Sequence, residues 1–281
     1  MILSARDEEI LKAVWYYRYI TARDLTNLLF AKTSITHMRE ILATLSGGDD
    51  LQTHQYLCRF TLPSLNGTRE KVYVLGSRGR RFLTDKGLSA TWYFRPHKLK
   101  FLSYSYVLHN LILTRTLIAA SLWAKDNPDV NLVDKRISYE LAGKVVPDGW
   151  LLFEVQTPEG VYEQPVVIEI DRGMENKDKF RAHVRGRINY IQSGEYQKIY
   201  RTDVTTIAYA TTGQTELYRT TRQKAICAYI MELLKDMRME SWAGVFRVAS
   251  IEFNKLYENE LFESEVWYRP DSPKPLRLFD Q

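Results

Sequence analysis

Residues 145–155 read VVPDGWLLFEV and residues 166–171 read VVIEID; the ten residues between them are mostly polar and include Pro158, Gly160 and Pro165. Two apolar runs of strand length flanking turn-forming residues predict two strands, over residues 145–153 and 166–171, joined by a turn-rich connection. The first opens with Pro147-Asp148 and the second ends in Glu169 and Asp171. Side chains alternate along a strand, so Glu169 and Asp171 share a face, and Asp148 can join them at one edge of a small sheet. Three carboxylates brought together repel one another. Either a hard cation such as Mg²⁺ or Mn²⁺ or neighbouring arginines must compensate them. The apolar runs are too continuous for strands wetted on one face, so helices should cover them.

Outward from this pair, residues 104–125 carry a broad apolar helical face and residues 132–137 read as a strand. Downstream, a basic helix runs to about residue 192, with Phe180, Val184, Ile188 and Ile191 as its core stripe and Lys177, Lys179, Arg181, Arg185 and Arg187 flanking it. A strand within 202–211, a helix over 216–239 and a strand over 244–251 complete the order α-β-β-β-α-β-α-β. The segment beyond Phe253 carries no pattern that places it.

The first hundred residues differ in charge and in order. They hold 16 Lys/Arg against 9 Asp/Glu, a net of +7, while the remainder holds 23 against 25, a net of −2. Ser4 caps a first helix, Thr21 a second, and a third runs from near Ser34 to Leu45. Strand-like runs at 51–62 and 71–75 follow, separated by a segment containing an Asn-Gly turn. Three helices followed by a hairpin is the order of a winged helix-turn-helix. Its third helix would present Thr36, His37 and Arg39 to the major groove. Arg59, Arg69 and Lys71 of the hairpin, followed by Arg78, Arg80 and Arg81, suit phosphate contacts. A solvated charged face and a winged domain used for protein contacts are the alternatives.

The remaining bulk properties are those of a soluble protein: 45% hydrophobic and 26% charged residues. The acidic N-terminus lacks the basic-then-apolar run of a signal peptide, and no apolar run approaches the roughly 20 residues that span a bilayer. Cys58 and Cys227 show no metal or redox spacing, so a cytoplasmic location with two free thiols is expected. No P-loop, G-x-S-x-G or paired-histidine zinc signature is present.

Pro147-Asp148 followed by Glu169-x-Asp171 partly resembles the PD-(D/E)XK nuclease superfamily, with Asp171 where those enzymes carry lysine. With Arg172-Gly173 and the basic helix ending in Tyr190, residues 5–215 resemble the replication-relaxation family of plasmids and mobile elements. The resemblance implies an α/β protein: a winged helix DNA-binding domain over 1–95, then a PD-(D/E)XK-like domain over 96–281. It implies Asp148, Glu169 and Asp171 as catalytic and metal-ligating residues for Mg²⁺ or Mn²⁺. Glu140, just upstream, is a further candidate ligand. Implied partners are double-stranded DNA and either a second copy of the chain or a replication or relaxase protein, with no membrane. The expected role is a DNA-binding accessory protein. An Mg²⁺-dependent nickase or endonuclease is one alternative, and a transcription regulator with an inactive nuclease-like domain is another. The missing lysine separates them, because Asp171 cannot stabilise developing negative charge; Lys177, Lys179 or an arginine of the next helix could replace it.

Overall fold

The computed structural model describes residues 3–47, 55–62, 70–137, 146–173, 175–202, 205–213, 215–257 and 260–280. The chain is a mixed α/β protein that divides into two compact units, Met1–Thr114 and Arg115–Gln281.

Unit 1 begins with α1 (Ala5–Tyr17), opened by a reciprocal capping box between Ser4 and Asp7. β1 (Ile20–Thr21) leads directly into α2 (Ala22–Leu29), where Thr21 and Asp24 repeat the same device. Each box satisfies backbone donors that a helix start otherwise leaves open. Ser34 caps α3 (Ile35–Leu45) by accepting from the His37 N–H at 3.2 Å. β2 (Leu57–Thr61) and β3 (Lys71–Leu75) pair antiparallel, and β1 joins them in a three-stranded sheet of order β1-β3-β2. Ile10, Leu11, Val14, Leu25, Met38, Leu42, Val72 and Val74 are buried in this unit.

A fourth helix, α4 (Ser77–Asp85), follows β3 where the sequence suggests only a basic extension of the hairpin. Two glycines explain the turn. A Cβ on Gly76 would sit 2.2 Å from the Gln55 carbonyl oxygen, and one on Gly79 2.2 Å from that of Tyr56. The backbone of α4 can press on the chain entering β2 only because both positions lack a side chain.

The long helix α5 (Tyr104–Asp126) contributes its first half to unit 1 and its second half to unit 2. Among the described residues it is the one helix long and apolar enough to cross a membrane, and 78% of its most apolar window is buried inside the protein. Such burial is that of a core helix.

In unit 2 a seven-stranded sheet runs β10-β9-β8-β7-β6-β5-β4. β4 (Val130–Ile137), β5 (Gly149–Thr157) and β6 (Gly160–Asp171) form an antiparallel meander. β6, β7 (Thr206–Thr211) and β8 (Phe246–Ser250) are parallel, linked through α6 (Lys177–Gln192) with α7 (Glu195–Tyr200) and through α8 (Glu216–Met237). The expected ten-residue connection between the two central strands is instead a tight hairpin, since β5 and β6 pair as far as Thr157 and Gly160. Gly160, at φ +136°, supplies the turn conformation. The outer part of β6 extends beyond its pairing with β7, so polar side chains there remain in water. Pro165 lies within β6, one residue before that pairing begins, where a missing N–H is tolerated.

One sheet face carries Trp150, Val167, Ile207, Tyr209, Phe246 and Val248 against Phe180, Val184 and Ile188 of α6 and Ile226, Ile230 and Leu233 of α8. The C-terminal segment has a place after all. It adds α9 (Glu260–Glu263), β9 (Trp267–Tyr268) and β10 (Pro275–Leu276), and seats Phe262 and Phe279 on Trp123 at ring separations of 5.6 and 5.3 Å.

Candidate carboxylate site and nucleic-acid interface

Glu169 and Asp171 lie on the helix-covered face of β6, as alternation predicts, and each meets an arginine there. Arg222 of α8 donates to both oxygens of Asp171, from Nε at 2.8 Å and from Nη2 at 2.9 Å. This planar two-point pairing is the strongest form of charged hydrogen bond available to a carboxylate. These bonds to Asp171 are also the main cause raising the pKa of Arg222 further. Asp171 accepts a third bond from the Gly173 N–H at 3.1 Å. Gly173 has φ +70°, and a Cβ there would fall 1.9 Å from the Tyr218 hydroxyl. The Asp-Arg-Gly tripeptide is therefore a turn that ties the end of β6 to the start of α8.

Glu169 is held differently. It forms an ion pair with Arg187 of α6, and both side chains are almost wholly buried. Burial pushes the Glu169 carboxyl up to about 8; Arg187 opposes the rise, while the negative charge of Asp148 adds to it. Burial works against the charge on Arg187, but Glu169, Tyr209 and Asp148 more than offset it, leaving its pKa raised. Tyr209 stands beside Glu169 in register on β7, its hydroxyl pKa driven up by burial although Arg187 opposes this. Asp148, half-buried just before β5, accepts the Ile170 N–H at 2.8 Å.

These contacts supply one of the two compensations open to the carboxylates. Arg222 pairs with Asp171, and Arg187 lies against Glu169. Among the described residues, no group of three or more His, Cys, Asp or Glu side chains is placed to hold a metal ion. Glu140 lies outside the described residues. Of the cations considered as stand-ins for the missing lysine, Lys177 pairs with Glu232, and Lys179 pairs with Glu175 at 3.3 Å. Arg187 reaches a carboxylate of the trio. It lies seven residues beyond Phe180 and so falls on the core stripe of α6 rather than beside it. Arg222 likewise sits four residues before Ile226 on the stripe of α8. An arginine in register with an apolar stripe is the signal that would have found both.

In unit 1, Thr36, His37 and Arg39 are exposed on α3, and His37 Nδ1 lies 3.3 Å from Glu40 on the same helix. Arg59 faces Tyr73 across the β2–β3 ladder. Tyr73 is buried, which raises its pKa, while the charges of Arg59 and Arg39 both act to lower it. The charges of Arg39 on α3 and Arg59 on β2 thus both act on the Tyr73 hydroxyl. Lys71 is exposed at the outer end of β3, and Arg69 lies outside the described residues. Arg78, Arg80 and Arg81 follow the hairpin, on α4.

No curated protein and no solved structure matches the chain. A family model described as replication-relaxation matches residues 11–205. That span contains the second half of α1, the capped helices α2 and α3, the basic hairpin, Pro147-Asp148, the Glu169-to-Gly173 turn and the arginine-bearing α6, and it exceeds half the chain: the protein belongs to the replication-relaxation family.

Proposed function

We propose that the protein is a DNA-binding accessory factor in the replication or relaxation of a plasmid or other mobile element. In this reading unit 1 is a winged helix-turn-helix reader, and unit 2 is a nuclease-like module that performs no chemistry of its own. The order of three helices and an antiparallel hairpin, with Thr36, His37 and Arg39 exposed on α3 and Lys71 exposed on β3, supports the first half of the reading. In this reading α3 would enter the groove and the hairpin would hold phosphates. Thr36, His37 and Arg39 would address base edges in the major groove, and Arg59, Arg69 and Lys71 the phosphates. The arginine pairing of Glu169 and Asp171 supports the second half and ranks the metal-dependent nickase below it.

Fluorescence anisotropy of the full chain on duplex DNA across a salt series tests the reading. Replacing Arg59 and Lys71 with alanine should weaken all sequences alike and lower the slope of log affinity against log salt by about 0.9 for each phosphate left unneutralised. Arg39→Ala should change the preferred sequence, with a loss of about 1–3 kcal/mol at one base position. Absence of binding by the wild-type chain at low salt would sink the DNA-reader assignment.

A further inference from the structure

Four arginines follow the hairpin in unit 1: Arg78, Arg80 and Arg81 on α4, and Arg95 on the segment after it. Arg80 and Arg95 share one aromatic ring, with their guanidinium carbons 4.9 and 5.5 Å from the Tyr93 centroid. Arg78 stacks at 4.5 Å over Tyr56. Arg78, Arg81 and Arg95 are exposed and Arg80 is half-buried. No carboxylate among the described residues pairs with any of the four; Lys86, just past the C-terminal end of α4, pairs with Glu8.

The geometry matters for chemistry. A guanidinium that spends its flat face on a ring has its edge N–H groups left to match two phosphate oxygens; in Arg80 the Nε is buried without a partner, so its terminal nitrogens would make that contact. Stacking also removes rotamer freedom before any ligand arrives, so less is lost on binding. The base of the patch is rigid as well, since Gly76 and Gly79 seat α4 directly on the carbonyls of Gln55 and Tyr56. Two cations held over one ring without a counter-charge repel each other, and a polyanion relieves both.

We propose that Arg78, Arg80, Arg81 and Arg95 form a second phosphate-binding surface for duplex DNA, separate from α3 and the hairpin. The proposal rests on the reading of unit 1 as a DNA-binding domain and lengthens its footprint beyond the stretch one recognition helix covers. Sequence plays no part in this contact, because guanidinium edges meet the backbone alone.

The test compares full-length wild type with the exposed triple variant Arg78→Gln/Arg81→Gln/Arg95→Gln. Duplexes of about one helical turn and about three turns (roughly 10 and 30 base pairs) serve as probes. On the long duplex the triple variant should lose about 3 from the salt slope, roughly 0.9 for each phosphate, with its order of sequence preference unchanged. On the short duplex the two proteins should differ little. Restoring charge with lysine at the same three positions should recover most of the slope. If the triple variant melts well below wild type, the single exposed change Arg81→Glu carries the test, with about one unit of slope expected. Wild-type binding with an undiminished slope in a folded variant overturns the second surface and leaves the DNA-reader assignment standing. No binding by wild type removes that assignment itself. A slope loss on a single strand of equal length, absent on the duplex, overturns the choice of duplex as the partner.

Discussion

Glu169 and Asp171 stand two residues apart on one strand, yet their surroundings treat them differently. Asp171 has its charge matched by a two-point contact with Arg222 and a backbone N–H, all inside a part-buried turn. Removing one partner of such a pair strands the other, which typically costs about 3–5 kcal/mol. Asp171→Ala should therefore lower stability by that order in chemical denaturation, and Asp171→Ala/Arg222→Leu should recover part of the loss. An Asp171→Ala protein as stable as wild type would remove the turn from the structural account. Glu169 gains less from its arginine than burial takes away, so its carboxyl titrates at about 8 instead of 4.5. The folded state then holds a proton that the unfolded chain releases between those two values. Stability must fall as pH rises from 4.5 to 8, since the native state binds more protons over that window. Glu169→Gln cannot ionise. Its melting temperature, measured against wild type, should improve steadily between pH 5 and pH 8; a difference that stays constant would mean Glu169 is already ionised at the lower pH.

At the scale of elements, the sheet of unit 2 depends on the C-terminal segment. Trp267 of β9 is fully buried and donates from Nε1 to the Leu261 carbonyl at 2.6 Å. Arg247 of β8, also buried, donates to the Asp280 carbonyl at 2.6 Å. Trp267→Ala should cost about 3–5 kcal/mol through the cavity it leaves, read as a shifted denaturant midpoint. A loss under about 1 kcal/mol would show the segment to be dispensable. This is the part of the fold that the sequence conceals. Strands β4 to β8 and helices α5, α6 and α8 are legible because each carries its own period of apolar residues. β9 and β10 have two residues each, and their pairing is fixed by distant partners, so no local pattern announces them. α4 is hidden for a related reason. Its arginine-rich text shows no apolar stripe, and the glycine contacts that seat it involve residues 55 and 56, some twenty positions away. The carboxylates are legible as a group from alternation alone, and arginines are one of two compensations that chemistry offers them. Which arginines, and whether they exclude a cation, depends on helix packing that spacing does not encode.

Taken whole, the chain joins a strongly basic first hundred residues to a nearly neutral remainder, and the cation question decides what that remainder does. An ion entering the carboxylate site would have to displace Arg222 from both oxygens of Asp171 and lie beside the guanidinium of Arg187. Both steps are unfavourable, so Mg²⁺ and Mn²⁺ should leave the melting temperature of the whole protein unchanged at constant ionic strength, as should a chelator. A genuine site filled to a hundred times its dissociation constant would add about 2.7 kcal/mol, a shift well within measurement. Asp148→Asn should melt alike with and without the ions, and neither protein should nick supercoiled plasmid. A saturable, cation-dependent rise that disappears in Asp148→Asn would show that the arginines yield to metal. Metal-dependent nicking lost in the same variant would make unit 2 a nickase. Arg187→Gln sharpens the comparison, because it removes the competing charge while keeping much of the bulk of the side chain. If that variant alone acquires a cation-dependent rise, Arg187 occupies the place that a metal ion would otherwise take beside Glu169.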